Sequence, residues 1–169
     1  MFEGVNGFTY DKAIPSSAHA DMVENTCVAC HMQTVDAADP ALGLVGGHTF
    51  KPGFSGNATT PAKDLVAVCR TCHGPDVTSF NFPLMDYDGD GVIDGVQTEV
   101  QHLLDNLAVL LPPVGQAKSD ISIDATWTQP QLEAAYNYQF VKSDGSLGIH
   151  NTAYAVGLLK ASINNLTKK

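Results

Sequence analysis

All four cysteines of this 169-residue chain fall in two Cys-x-x-Cys pairs, and each pair runs directly into a histidine: Cys27-Val28-Ala29-Cys30-His31 and Cys69-Arg70-Thr71-Cys72-His73. The pairing leaves no odd thiol and no disulfide framework between distant positions. Two thiols at this spacing can form thioether bonds to the two vinyl groups of one haem, and the adjoining imidazole is then held beneath the iron as an axial ligand. A zinc site needs four thiolates or a cysteine and histidine set, without a histidine directly after each second cysteine. A redox dithiol has no use for that histidine either. Cys27, Cys30, Cys69 and Cys72 are therefore expected to attach two haem c groups, with His31 and His73 as proximal ligands. Cofactors of that size replace much of an ordinary core. The expected fold is mainly α with extensive irregular loops, the haems forming much of its centre.

Length and a 44% apolar composition fit one domain over residues 1–169, either a whole dihaem protein or a module of a larger multihaem one. Apolar residues come in short groups, so no transmembrane segment is expected. The formal charge of -9 repels polyanions and argues against nucleic acid as a partner. It favours basic redox partner proteins. The N-terminus lacks the basic start and apolar stretch of a secretory signal. Since c-type haem is attached outside the cytoplasm, the expectation is a periplasmic or extracellular chain whose leader has been removed, or an excised piece with an added Met1.

Helical character is expected over residues 21–30, leading into the first motif. Thr60-Pro61 reads as an N-cap with proline at the first helical position, opening a short helix through Leu65 and Val68. Residues 33–60 read as irregular chain. Apolar residues at helical spacing mark residues 96–111 as the best helix, stopped by Pro112-Pro113. A second is expected over 130–141, burying Leu132, Tyr136 and Phe140. A third follows His150, with Asn151 ordering its first turn and Tyr154, Leu158, Leu159, Ile163 and Leu166 facing inward. The one strand candidate is 120–126.

Four histidines remain to complete the irons. His48 follows Gly46-Gly47, which let backbone approach a planar cofactor closely. His150 stands at the entrance to the last helix, on a rigid element. His19, eight residues before Cys27, is the alternative, able to fold over either haem or to reach a neighbouring molecule. His102 lies away from the apolar stripe of its helix and reads as solvated. Among the methionines Met22 and Met85 read as packing residues, and Met32 is too close to His31 to reach the opposite haem face. Bis-histidine ligation is the expectation.

Residues 86–94, Asp-Tyr-Asp-Gly-Asp-Gly-Val-Ile-Asp, reproduce the start of an EF-hand-type loop. Carboxylates stand at positions one, three and five, glycine at six and an apolar residue at eight. Asp86, Asp88, Asp90, the Val92 carbonyl and Asp94 are candidate calcium ligands. Position twelve is Gln97 rather than the usual glutamate, and Glu99 can close a slightly longer loop. The expected role is structural, at the start of the 96–111 helix.

Taken together, Ser16-Ser17-Ala18-His19, the first haem motif with Met32, Gly46-Gly47-His48-Thr49-Phe50, the second motif with Gly74, the acidic loop running into Val100, and Gly148-Ile149-His150-Asn151 resemble the multihaem cytochromes c, the superfamily that includes relatives of cytochrome c nitrite reductase and extracellular electron-transfer cytochromes. The resemblance implies closely stacked haems, His48 and His150 as distal ligands, and other multihaem cytochromes or copies of the chain itself as partners. Only two haem motifs are present, and no Cys-x-x-Cys-Lys marks a nitrite-reducing haem. The function expected is single-electron transfer without substrate turnover. The alternative is a small reductase or peroxidase with one open iron.

Overall fold

The computed structural model describes residues 1–168. The chain forms two compact units, Met1–His19 with the chain from Pro83 onward, and Ala20–Phe82.

The first unit is built on three helices, α4 (Val96–Leu110), α5 (Gln129–Asp144) and α6 (Thr152–Thr167); shorter elements α1 to α3 belong to the preceding sequence. The apolar stripe expected on α4 is realised, with Val100, Leu103, Leu104 and Leu107 all buried. The helix stops at Leu111, whose backbone is extended ahead of Pro112, as required of a residue that precedes proline. Lys118 closes its end, the ammonium donating to the carbonyls of Leu111 at 2.7 Å and Pro113 at 3.1 Å, where the helix presents partial negative charge.

Helix α5 is longer than residues 130–141 and buries a different face. Leu132 and Tyr136 are exposed and Phe140 is only partly buried, while Ala134, Ala135, Asn137, Tyr138 and Val141 are buried. Small residues set this choice, since Ala134 and Ala135 bring α5 close to the Ala155 and Leu158 side of the core, and bulk alone does not mark the face. The Thr128 N–H donates to Gln131 Oε1 at 2.9 Å across the first turn.

Helix α6 begins as expected, with Asn151 Oδ1 accepting the Tyr154 N–H at 3.1 Å. Asn151 is wholly buried. It also accepts from Ser17 N at 2.7 Å and donates to Ser16 Oγ at 2.8 Å and Phe2 O at 3.1 Å. Asn137, equally buried, pairs with both backbone groups of Phe8, each at 2.8 Å. Buried amides cost free energy unless every polar group is paired, so these two residues specify where the N-terminal segment lies on the helices.

The second unit contains α1 from Ala20 on (His19–Met22 in full), α2 (Thr26–His31), a 3-10 turn over Gly47–Thr49, strands β1 (Gly53–Phe54) and β2 (Lys63–Asp64), and α3 (Arg70–His73). The helix expected over 21–30 is broken in two by Asn25 and Thr26, both in the left-handed region at φ 61° and 41°. The helix expected from Thr60-Pro61 does not form. Residues 63 and 64 instead pair antiparallel with 54 and 53. No strand forms over 120–126. The buried cluster of this unit is small, Ala41, Val45 and Leu65 with Val35 and Phe54 packed against it.

Candidate functional site

Helix α2 places Cys27, Cys30 and His31 at spacings of three and four, which share one face of a helix. Cys69, itself helical at φ -65° and ψ -35°, extends α3 so that Cys72 and His73 stand in the same relation to it. Each motif is thus a single helical turn presenting two thiols and an imidazole together. Cys27 and Cys72 are exposed, and Cys30 and Cys69 half-buried. Burial, reinforced by the neighbouring Cys27, pushes the Cys30 thiol up, and burial with Cys30 nearby does the same to Cys69. A reactive dithiol needs the opposite shift. Among the described residues, the groups of three that bring ligand atoms within 4.8 Å of one another lie in the acidic loop and helix α4. The donor set fits haem c in its chemistry: paired thiols and an adjoining imidazole in each motif.

His31 is held in place from one side. Its Nδ1 lies 2.9 Å from the Phe50 carbonyl oxygen, and its ring stacks on the Phe50 ring at 4.6 Å. A carbonyl only accepts, so the proton is on Nδ1 and the lone pair of the neutral ring is on Nε2, the arrangement usual in metal-binding histidines. His73 stands against Phe82, ring centroids 5.2 Å apart. His48 lies on the 3-10 turn and is exposed. Gly46 is required there, because at φ 66° a Cβ would fall 2.2 Å from the Gln33 carbonyl.

In the first unit His19 and His150 come together, His19 Nδ1 lying 3.3 Å from the His150 carbonyl. His150 Nδ1 lies 2.8 Å from Asp144 Oδ1. A carboxylate at this distance fixes which ring nitrogen of the neutral imidazole carries the proton. Burial alone would raise the Asp144 carboxyl, but the bonds from His150 and Ser146 outweigh it and hold it below its ordinary range.

The acidic loop folds on its own amides. Asp86 accepts the N–H of Gly89 at 2.6 Å and of Gly91 at 2.9 Å, Asp88 that of Asp90 at 3.0 Å, and Asp90 that of Val92 at 2.7 Å. Gly89 and Gly91 have φ near 90° (87° and 92°), which L side chains rarely adopt. Glu99, only 1% exposed, reaches back from the first turn of α4. Its Oε2 accepts from Tyr87 N at 2.8 Å and Asp88 N at 3.0 Å, and its Oε1 from Asp94 N at 2.9 Å. With both Oε2 lone pairs engaged, Glu99 as it stands can offer a cation one oxygen, Oε1. Asp86, Asp88 and Glu99 bring ligand atoms within 4.8 Å of each other, as do Asp88, Asp90 and His102. Gln97 turns elsewhere, donating to the Ser146 carbonyl at 3.1 Å.

His102 keeps the solvent exposure expected of it and also pairs with the loop. Its Nδ1 sits 2.7 Å from Asp88 Oδ2, and that hydrogen bond, more than the surrounding carboxylates, raises its pKa. The signal was its position one turn after Glu99, on the face that meets the loop.

No family model, no curated protein and no solved structure matches this chain. Among the described residues no helix is long and apolar enough to cross a membrane.

Proposed function

We propose that the chain is a dihaem c-type cytochrome that relays single electrons, works in the periplasm or outside the cell, and carries a structural calcium ion in its acidic loop. The observation that carries this reading is the repeated Cys-x-x-Cys-His turn, with His31 held through Nδ1 by a backbone carbonyl. When bound, each haem supplies a one-electron iron couple. Cys27 with Cys30 and Cys69 with Cys72 would tether the two groups, and His31 and His73 would each offer an imidazole to the iron. The Phe50 carbonyl fixes which ring nitrogen of His31 would be offered to an iron.

His48 and His150 are the sixth ligands in this reading, with His19 the alternative for either. Asp144 orients His150 as Phe50 orients His31. The net charge of -9 steers the protein toward basic faces of redox partners, other multihaem cytochromes among them. Asp86, Asp88, Asp90, the Val92 carbonyl and Asp94 would hold calcium, with Glu99 setting the loop around it.

The test is small-ligand binding and turnover on the haem-loaded chain. Two saturated irons bind carbon monoxide poorly and turn over neither nitrite, hydroxylamine nor peroxide faster than free haem. Stoichiometric carbon monoxide binding at one iron together with turnover would replace the carrier with a small reductase or peroxidase.

A further inference from the structure

We infer that Asn6-Gly7 is a latent site of spontaneous deamidation, held shut by the fold and opened when the N-terminal segment lifts from α5 and α6. It is the one Asn-Gly pair in the sequence. The fold itself asks for both residues. Asn6 sits in the left-handed region at φ 71°, which asparagine tolerates better than most side chains. At position 7 a Cβ would fall 2.5 Å from Leu158 Cδ1 and 2.9 Å from Tyr154 Oη. Leu158 is wholly buried and has nowhere to turn aside, so only glycine fits. Packing has thereby installed the dipeptide in which the following nitrogen is least hindered from attacking an asparagine side chain.

In the reaction the Gly7 nitrogen attacks Asn6 Cγ. An N–C bond forms, the Cγ–Nδ2 bond breaks, and ammonia leaves with the proton that the Gly7 nitrogen gives up. Water then opens the cyclic imide at either carbonyl, leaving aspartate or isoaspartate, with no change of oxidation state.

Ring closure needs that nitrogen deprotonated and swung onto the side chain, and the native fold opposes both. Gly7 N donates to Tyr154 Oη at 2.9 Å, and the Asn6 carbonyl accepts from Tyr136 Oη at 2.8 Å. These are the two ends of one planar peptide group, so the pair of bonds fixes its orientation. Its neighbours are held as well, Phe8 by both backbone groups on Asn137 and Phe2 through its carbonyl on Asn151. Asn6 is exposed, so water reaches the site and the guard lies on the backbone alone. Isoaspartate would lengthen the main chain by a methylene between Phe2 and Phe8, whose partners Asn151 and Asn137 are set for the shorter path. A segment that deamidates while lifted cannot remake its old contacts, and its release becomes permanent.

The test follows the mass gain of amide-to-acid conversion at position 6 in the full chain, native and in urea. That gain separates the reaction from isomerisation at Asp88-Gly89 and Asp90-Gly91, which leaves mass unchanged. A reaction confined to the open state runs at the free-chain rate multiplied by the open population. The two tyrosine bonds alone, at the usual net worth of a hydrogen bond, make native conversion at least about thirtyfold slower than in urea. Tyr154→Phe should raise the native rate about fivefold, and Tyr136→Phe, whose bond is exposed, by less. Hydrogen-exchange protection of the Gly7 amide should match the native-to-urea ratio, and this comparison stands even where Tyr154→Phe does not fold. After refolding, chains converted to isoaspartate should leave that amide unprotected. Native conversion as fast as in urea, a Tyr154→Phe rate equal to the parent's, or slow conversion beside an unprotected Gly7 amide would overturn the inference. Renewed protection in the isoaspartate chain would overturn the permanence of release.

Discussion

Replacing Glu99 tests how the acidic loop is held to α4. The carboxylate is buried and accepts three backbone N–H groups, from Tyr87, Asp88 and Asp94. Those amides belong to half-buried residues, so water can partly replace a lost acceptor, and each bond is taken at about 1 kcal/mol, the low end of the range for an orphaned donor. Glu99→Ala removes three such bonds, about 3 kcal/mol, and buried methylene worth roughly 1 kcal/mol more. The expected loss of about 4 kcal/mol corresponds to a fall in Tm on the order of 10 °C for a chain of this size. Glu99→Gln keeps the shape and can keep two of the bonds by turning its oxygen toward Tyr87 and Asp88, so it should lose about 1 kcal/mol. Thermal unfolding followed by circular dichroism gives both values, and hydrogen exchange should quicken first at the three amides. A Glu99→Ala protein within about 1 kcal/mol of the parent would refute the reasoning, since even one lost acceptor costs that much.

Removing calcium with a chelator should lower Tm without releasing haem, by up to about 2.7 kcal/mol if the ion had been at a hundredfold excess over its Kd; Asp90→Ala should reproduce the effect, and coincident melting curves with and without the ion would count against the site. His102→Ala should leave both irons low-spin in the oxidised spectrum while costing under about 1 kcal/mol, because the side chain is 42% exposed and such bonds are discounted by solvent. The Lys63 hydrogen bond, helped by the Ala41 N–H, holds the Asp39 carboxyl below its ordinary range. A depressed carboxyl stabilises the fold above its unfolded pKa and loses that contribution as pH falls through the folded value. Asp39→Asn should therefore flatten the acid side of a Tm-against-pH profile, and an unchanged acid slope would remove the pair from the account.

What could be read from residues alone was local. The two Cys-x-x-Cys-His motifs are contiguous, so their helical turns follow from spacing, and α4 announces itself because Val100, Leu103, Leu104 and Leu107 are all large and periodic. The face of α5 was hidden because alanines and Asn137 define it, and their burial depends on α6, Phe8 and Ser162, which are distant in sequence. Strands of two residues carry no periodicity, which is why Lys63–Asp64 looked like the continuation of a helix opened by Thr60-Pro61. The acidic loop was legible from its offsets, whereas the partition of its carboxylates was not. Glu99 faces three amides because α4 begins immediately after the loop, and His102 meets Asp88 one turn later for the same reason. The carbonyl behind His31 comes from Phe50, nineteen residues away, and no local pattern encodes such a contact.

The central claim is that both motifs carry haem and that both irons are fully ligated. The most direct measurement is the spin-resonance spectrum of the oxidised full chain, integrated against the haem covalently bound per chain. The account predicts two haems per chain, both low-spin, with no high-spin component. A chain without covalent haem, or one low-spin and one high-spin iron in equal amounts, would contradict it.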